Sequence, residues 1–227
     1  MKQGELPEPT VGTSLLSIAL AVGGGYGDAG GYILAKSFIG HVTGNTVLAA
    51  IGLALGNRNA IFVRLLAVVC FLGATAAGIA LASNDNKPSH ALSFALLVES
   101  LMVLAAPLGL LRHSNHADLQ LILALCLAMG LQNGVYRKVA GIGLHTNYIT
   151  GDATTLLATL VQRTREDGEP YKKVKTIGSI WIGFAFGALL AGVFIMQHGA
   201  AAVWLLELPL WLAAWIAWRM PQRKTNP

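Results

Sequence analysis

Long apolar runs separated by short polar turns constrain this chain more than any other feature. Runs at about 11–34, 60–82, 90–111, 118–139, 176–197 and 200–219 each hold 20 or more residues, and a helix of about 20 residues crosses a ~30 Å hydrocarbon core. In lipid every backbone polar group must be satisfied within its own segment, so such runs fold as helices. Charged residues make up 12% of the 227, roughly half the ~25% usual in soluble domains. They cluster between the runs. The expected fold is an all-α polytopic transmembrane bundle.

Two shorter segments, about 38–56 and 144–162, interrupt this series, and the chain looks organised around them. The first carries His41-Val42-Thr43-Gly44-Asn45 and the second Thr146-Asn147-Tyr148-Ile149-Thr150-Gly151-Asp152. Thr43 and Thr150 are 107 positions apart (150 − 43 = 107). Each segment follows a helix candidate with a polar cluster of its own, Gly25-Tyr26-Gly27-Asp28-Ala29 and Gly130-Leu131-Gln132-Asn133-Gly134. Other features repeat in the same order. Glu99 recurs as Glu207 (207 − 99 = 108) and Arg112 as Arg219 (219 − 112 = 107). Gly73-xxx-Ala77 recurs as Gly183-xxx-Gly187, small-residue patterns that let membrane helices approach closely. The expectation is two tandem repeats of about 107 residues, 11–112 and 118–219. They form one membrane domain, 11–220, of six long spans plus two short or broken helices, eight embedded segments in all. Residues 1–10 form a polar tail and 221–227 a basic one.

Charge placement bounds the topology. The net charge is +5, but the bases lie in inter-helix loops, as the positive-inside rule expects, so nucleic-acid binding is set aside. Cys70 and Cys126 lie within apolar runs and read as small core residues. The first apolar run lacks a basic leader and reads as a retained span. With eight spans, or with six if both short segments are re-entrant, Lys and Arg divide 12 inside to 4 outside. Eight spans keep the paired bases Arg64/Lys172 and Arg112/Arg219 on one face and are favoured on that ground. Against this, the polar stretch from Thr150 to Gln162 is short, about 21 Å as a helix. Both counts put the N- and C-termini in the cytoplasm of a bacterium, with the chain in the inner membrane.

Four motifs in order, Gly25 to Ala29, His41 to Asn45, Gly130 to Asn133 and Thr146 to Gly151, resemble the YoaK-like family of bacterial integral membrane proteins. The resemblance covers nearly the whole length. It implies a six-spanning protein of the cytoplasmic membrane and a domain of unknown function, and brings no reaction. Asp152 after the second Thr-Gly, and glycines at 30 and 31, depart from the family pattern.

The candidate binding residues are Asp28, His41, Thr43, Asn45, Glu99, Gln132, Asn133, Thr150, Asp152 and Glu207. A carboxylate at membrane depth is a functional candidate by default. Its alternative is a structural hydrogen bond to a neighbour such as His41 or Asn133. Glu99 and Glu207 read either as proton carriers or as neutral acids bonded between helices. Asn45 and Asp152 follow glycines at apparent helix starts, so they either cap a helix or sit where a half-helix N-terminus faces a ligand. His113 and His116 read as loop residues. Trp204, Trp211, Trp215 and Trp218 read as lipid-facing and interfacial anchors.

No catalytic residue, metal or cofactor is assigned. The expected function is a small-solute transporter or permease, proton-coupled or not, with an acidic and polar site between the repeats. The absence of a matching deep base favours a cation, a proton or a neutral solute over an anion. The rival expectations are a membrane enzyme acting on a lipid or isoprenoid, with His41 and Asp28 as base and orienter, and a non-catalytic partner of another membrane protein. The expected partners are the lipid bilayer and an unknown small solute or proton, and a homo-oligomer is compatible with all of this.

Overall fold

The computed structural model describes residues 11–84, 88–113, 116–136, 138–139, 142–143, 157 and 169–219. Helix α1 is Val11–Ala35, α2 Val42–Ala54, α3 Arg58–Asn84, α4 Pro88–Ala105, α5 Leu108–Leu111 and α6 Ala117–Val135. A ribbon of two residues per strand follows, β1 Lys138–Val139 antiparallel to β2 Ile142–Gly143. Helix α7 is Glu169–His198, and it leads through a 3-10 helix, Gly199–Leu206, into α8, Glu207–Arg219. The architecture is all-α, as expected from the apolar runs.

Local chemistry explains the boundaries. Lys36 takes a left-handed conformation (φ 53°) where α1 stops, and Gly56 does so (φ 69°) after α2. Asn57 then starts α3, its Oδ1 accepting the Ala60 N–H at 3.0 Å, as a helix cap should. The expected run 90–111 is broken before Pro107, whose ring removes a backbone donor, so α5 continues it as one short turn. The expected run 200–219 begins as the 3-10 helix and becomes α-helical only at Glu207.

Among the described residues, four stretches are long and apolar enough to cross a membrane: 58–83, 91–111, 117–135 and 174–219. Helix α1 is of comparable length but rich in glycine, serine and threonine. The packing accounts for this: Leu15 and Tyr32 are the only exposed residues among 12–35. A helix surrounded by protein has no need of a lipid-facing apolar surface.

Contacts fix the relative directions of the helices. Along α1 and α7, the Ile18 carbonyl meets Gly183, Val22 meets Gly187 and Gly30 meets Ile195, so the two run parallel. Along α3 and α6, Phe71 meets Gly130 and Thr75 meets Gly134, again parallel. Helices α1 and α6 run antiparallel. Ser17 shares a hydrogen bond with the Tyr136 hydroxyl at 2.7 Å, and Gly27 faces Met129 further along. Helices α4 and α8 are antiparallel too, with Ser100 bonded to Glu207 and the Trp204 indole to the Leu104 carbonyl.

The two parallel pairs use the same device. Gly25 lies on the Phe184 carbonyl and Gly134 on that of Thr75, while Gly187 lies on the Val22 carbonyl and Gly78 on that of Leu131. Matching positions are 109 apart throughout (134 − 25, 184 − 75, 187 − 78 and 131 − 22). Missing side chains let backbones touch, which is how membrane helices associate without a hydrophobic drive. The sequence expectation for these contacts holds for Gly183 and Gly187 and fails for Gly73 and Ala77. Both of the latter are exposed, and a methyl on Gly73 would meet nothing within 4 Å. Ala74 and Gly78, one residue further on, face α6 instead. One residue turns a helix by about 100°, enough to move a stripe off the interface.

Candidate functional site

The site begins at Asp28, seven residues before the end of α1 (35 − 28 = 7), about 10 Å along the helix. The chain beyond α1 turns back toward it. Residues 36–41 run back along α1, and Gly31 makes room for them: a methyl there would come within 2.5 Å of Ile39 and 2.9 Å of the Ser37 carbonyl. Asp28 Oδ1 accepts the backbone N–H groups of Ile39 at 2.7 Å and Gly40 at 2.8 Å. Its Oδ2 pairs with Nδ1 of His41. One buried carboxylate thus satisfies the donors of a buried turn that no helix or strand could satisfy.

Asn45 closes the same turn from the other side. Its Oδ1 accepts the Phe38 N–H at 2.9 Å and the Ser37 hydroxyl at 3.2 Å, and its Nδ2 donates to the Phe38 carbonyl at 2.7 Å. The helix-capping reading of Asn45 is corrected by this geometry. The cap position is His41, which makes no side-chain cap bond, and Asn45 sits one turn inside α2 and reaches back.

The tip, Ile39-Gly40-His41, is wedged among three helices. The Cys126 thiol of α6 points at the Ile39 carbonyl (3.5 Å), and the His41 ring lies 6.0 Å from the Phe184 ring of α7. Cys126 and Phe184 lie near the midpoints of their helices. Helix α2 then returns toward the end of the molecule the chain had left. Arg64, two turns into α3, donates Nη1 to the Leu48 carbonyl at 2.7 Å and Nε to the Lys36 carbonyl at 3.3 Å, so it ties both limbs at once. The outer face of α2, with Val47, Ile51 and Leu53, is exposed and apolar.

A second polar group lies on another side of α1, where Leu206 packs against Gly23 and Gly27. Glu99 of α4 is fully buried and within reach of the Glu207 charge. Glu207 Oε2 accepts the Ser100 hydroxyl at 2.6 Å and the Trp211 indole N–H at 2.8 Å. Its Oε1 is buried without a partner among the described residues. On α6, Gln132 and Asn133 are buried, and the Asn133 Oδ1 likewise finds no partner there, nor does the Thr75 hydroxyl on α3.

Of the residues singled out in the sequence, Asp28, His41 and Asn45 therefore come together, and Glu99 and Glu207 form a separate pair. Thr43 is exposed and stands apart from both groups. Thr150 and Asp152 lie outside the described residues. Ser37 and Ser100 were not read from the sequence, and Trp211 was read only as a lipid-facing anchor. Trp211 had a signal, since it lies four residues after Glu207 on one helix face. Ser37 had none, because only the fold-back brings it to Asn45.

A family model described as a protein of unknown function (DUF1275) matches residues 16–216. The chain belongs to this family. One relative, named UPF0700 transmembrane protein RA0705 of Rhizobium meliloti (strain 1021), is 24% identical over 214 residues, 94% of this chain and 89% of the relative. No solved structure matches. Members of DUF1275 are thus the setting for this fold, and the apolar helices agree with a membrane protein. The four sequence motifs had pointed to the same group.

Proposed function

We propose that the chain is a small-solute transporter or permease built from two inverted halves. Each half contributes three spans: α1, α3 and α4–α5 in the first, and α6, α7 and the 3-10 helix with α8 in the second. Helix α2 is a re-entrant element that enters and leaves at one face. The observation that carries this reading is the opposed direction of α1 and α6, each seated parallel on the second span of the opposite half through matched glycine–carbonyl contacts. Inverted repeats are the common basis of alternating access, with the site near the midplane between them. The division of Lys and Arg, 12 to 4, supports a reading with both termini on the cytoplasmic side of an inner membrane.

Polar groups within the bundle supply the site. Glu99, Glu207, Gln132 and Asn133 come from α4, α8 and α6, and the Asp28–His41–Asn45 turn lies against α1. Glu99 and Glu207 bring two carboxyl groups together between α4 and α8 with no base beside them among the described residues, so the pair suits a proton or a cation. The test is flux. Purified protein in liposomes carrying a pH-sensitive dye is challenged with a panel of cations and neutral polar solutes. At least one solute moves, and Glu99→Gln and Glu207→Gln abolish its movement while the proteins insert and stay monodisperse. No flux for any solute in the panel contradicts the proposal.

A further inference from the structure

We infer that residues 36–57 form a proton-sensitive gate whose tip leaves its seat between α1, α6 and α7 when the His41–Asp28 contact is lost. The inference rests on the re-entrant reading of α2 and adds what moves and what triggers the movement.

Geometry supports a moving part. Left-handed residues stand at both ends of the segment, Lys36 at its start and Gly56 near its end, and nothing lies within 4 Å of a methyl at Gly56. Among the helices, α2 packs mainly on α3. The tip is held by hydrogen bonds, two backbone N–H groups and one imidazole on Asp28 and a thiol on the Ile39 carbonyl, and by the buried Ile39 side chain packed on Gly31. Hydrogen bonds exchanged for water cost little net free energy, so Ile39 is the one large apolar side chain that leaving the seat would uncover.

The groups that face the tip define the trigger. Asp28 comes from α1, with Tyr32 stacked on Phe38 further along the same helix. Cys126 comes from α6, and α7 presents the uncharged Phe184. Lys36 lies on the segment itself, and Arg64 of α3 holds the Lys36 and Leu48 carbonyls. Among the described groups that face the tip, His41 is the histidine, the side chain whose charge ordinarily changes near neutrality, and it is 30% exposed. An imidazolium on a carboxylate is a charge-assisted bond, stronger than the neutral one. Seating is therefore strongest where His41 carries a proton, at low pH, and weakens as pH rises and that charge is lost.

Cys126 is a built-in reporter. It is fully buried, and the Ile39 carbonyl faces its thiol. In Cys70→Ala protein reconstituted in liposomes, the rate of N-ethylmaleimide labelling of Cys126 is divided by the rate for the same protein unfolded at the same pH. That ratio removes the ordinary thiolate effect. It should rise about tenfold or more between about pH 5 and about pH 8, the range in which histidine titrates. His41→Gln, which donates but does not titrate, should flatten the rise, and Asp28→Asn should label fast at both ends. If Asp28→Asn fails to fold, His41→Gln still decides. Parallel profiles in wild type and His41→Gln, or a ratio unchanged with pH, overturn the gate. Labelling needs no transported solute, so a flat profile and an absent flux are separate failures.

Discussion

Asp28 and Asn45 act as partners for backbone, and their energetics follow from that. Each satisfies groups of a buried turn: Asp28 two N–H donors and an imidazole, Asn45 one N–H, one carbonyl and a hydroxyl. Leaving a buried donor or acceptor unpaired costs about 1–3 kcal/mol. Asn45→Ala should therefore lower stability in detergent by about 2 kcal/mol, read as an earlier thermal transition. Asn45→Asp should lower it as well, because it keeps the shape but loses the donor to Phe38. Thr43→Ala, at an exposed position, should fall within about 0.5 kcal/mol of wild type. Equal losses at 43 and 45 would contradict this assignment. That Asp28 matters was legible, since a carboxylate in an apolar run stands out. Its partners were not, because they are main-chain groups brought close by a fold-back, and backbone donors carry no sequence signal.

At the scale of elements, hydrophobic runs located the helices well, and their ends less so. The break before Pro107 and the 3-10 start of the last span lay inside runs of uniform apolarity, where only proline and Gly199 (φ 61°) signal a change. Helix faces were harder still. In a membrane both faces are apolar, so periodicity does not say which one meets protein, and the Gly73-xxx-Ala77 pattern lies one residue off the Ala74-xxx-Gly78 stripe that makes the contact. The structure makes the difference measurable. A methyl at Gly187 would overlap the Val22 carbonyl and one at Gly134 the Thr75 carbonyl, whereas Gly73 opens onto space. Gly187→Ala and Gly134→Ala should each cost about 1–3 kcal/mol through overpacking. Gly73→Ala, with its higher helix propensity, should be neutral or stabilising by up to about 1 kcal/mol. Thermal unfolding in one detergent compares all three, and a large loss in Gly73→Ala would mean that the register is wrong.

For the whole molecule, the topology turns on where the chain goes between Lys36 and Arg58. The sequence favoured a crossing there, because eight spans keep paired bases such as Arg112 and Arg219 on one face. Arg64 argues otherwise, since it holds the Lys36 and Leu48 carbonyls together near the start of α3. A re-entrant α2 makes the halves inverted, and in an inverted pair corresponding bases fall on opposite faces. The direct measurement is substituted-cysteine labelling in a Cys70→Ala, Cys126→Ala background, with a membrane-impermeant maleimide applied to intact cells. Asn57→Cys, His113→Cys and His198→Cys should all label from outside, and Met220→Cys only after the membrane is opened. Labelling of His198→Cys from outside, with Asn57→Cys and His113→Cys reached only after permeabilisation, would mean that α2 crosses the membrane, and the inverted architecture would be refuted.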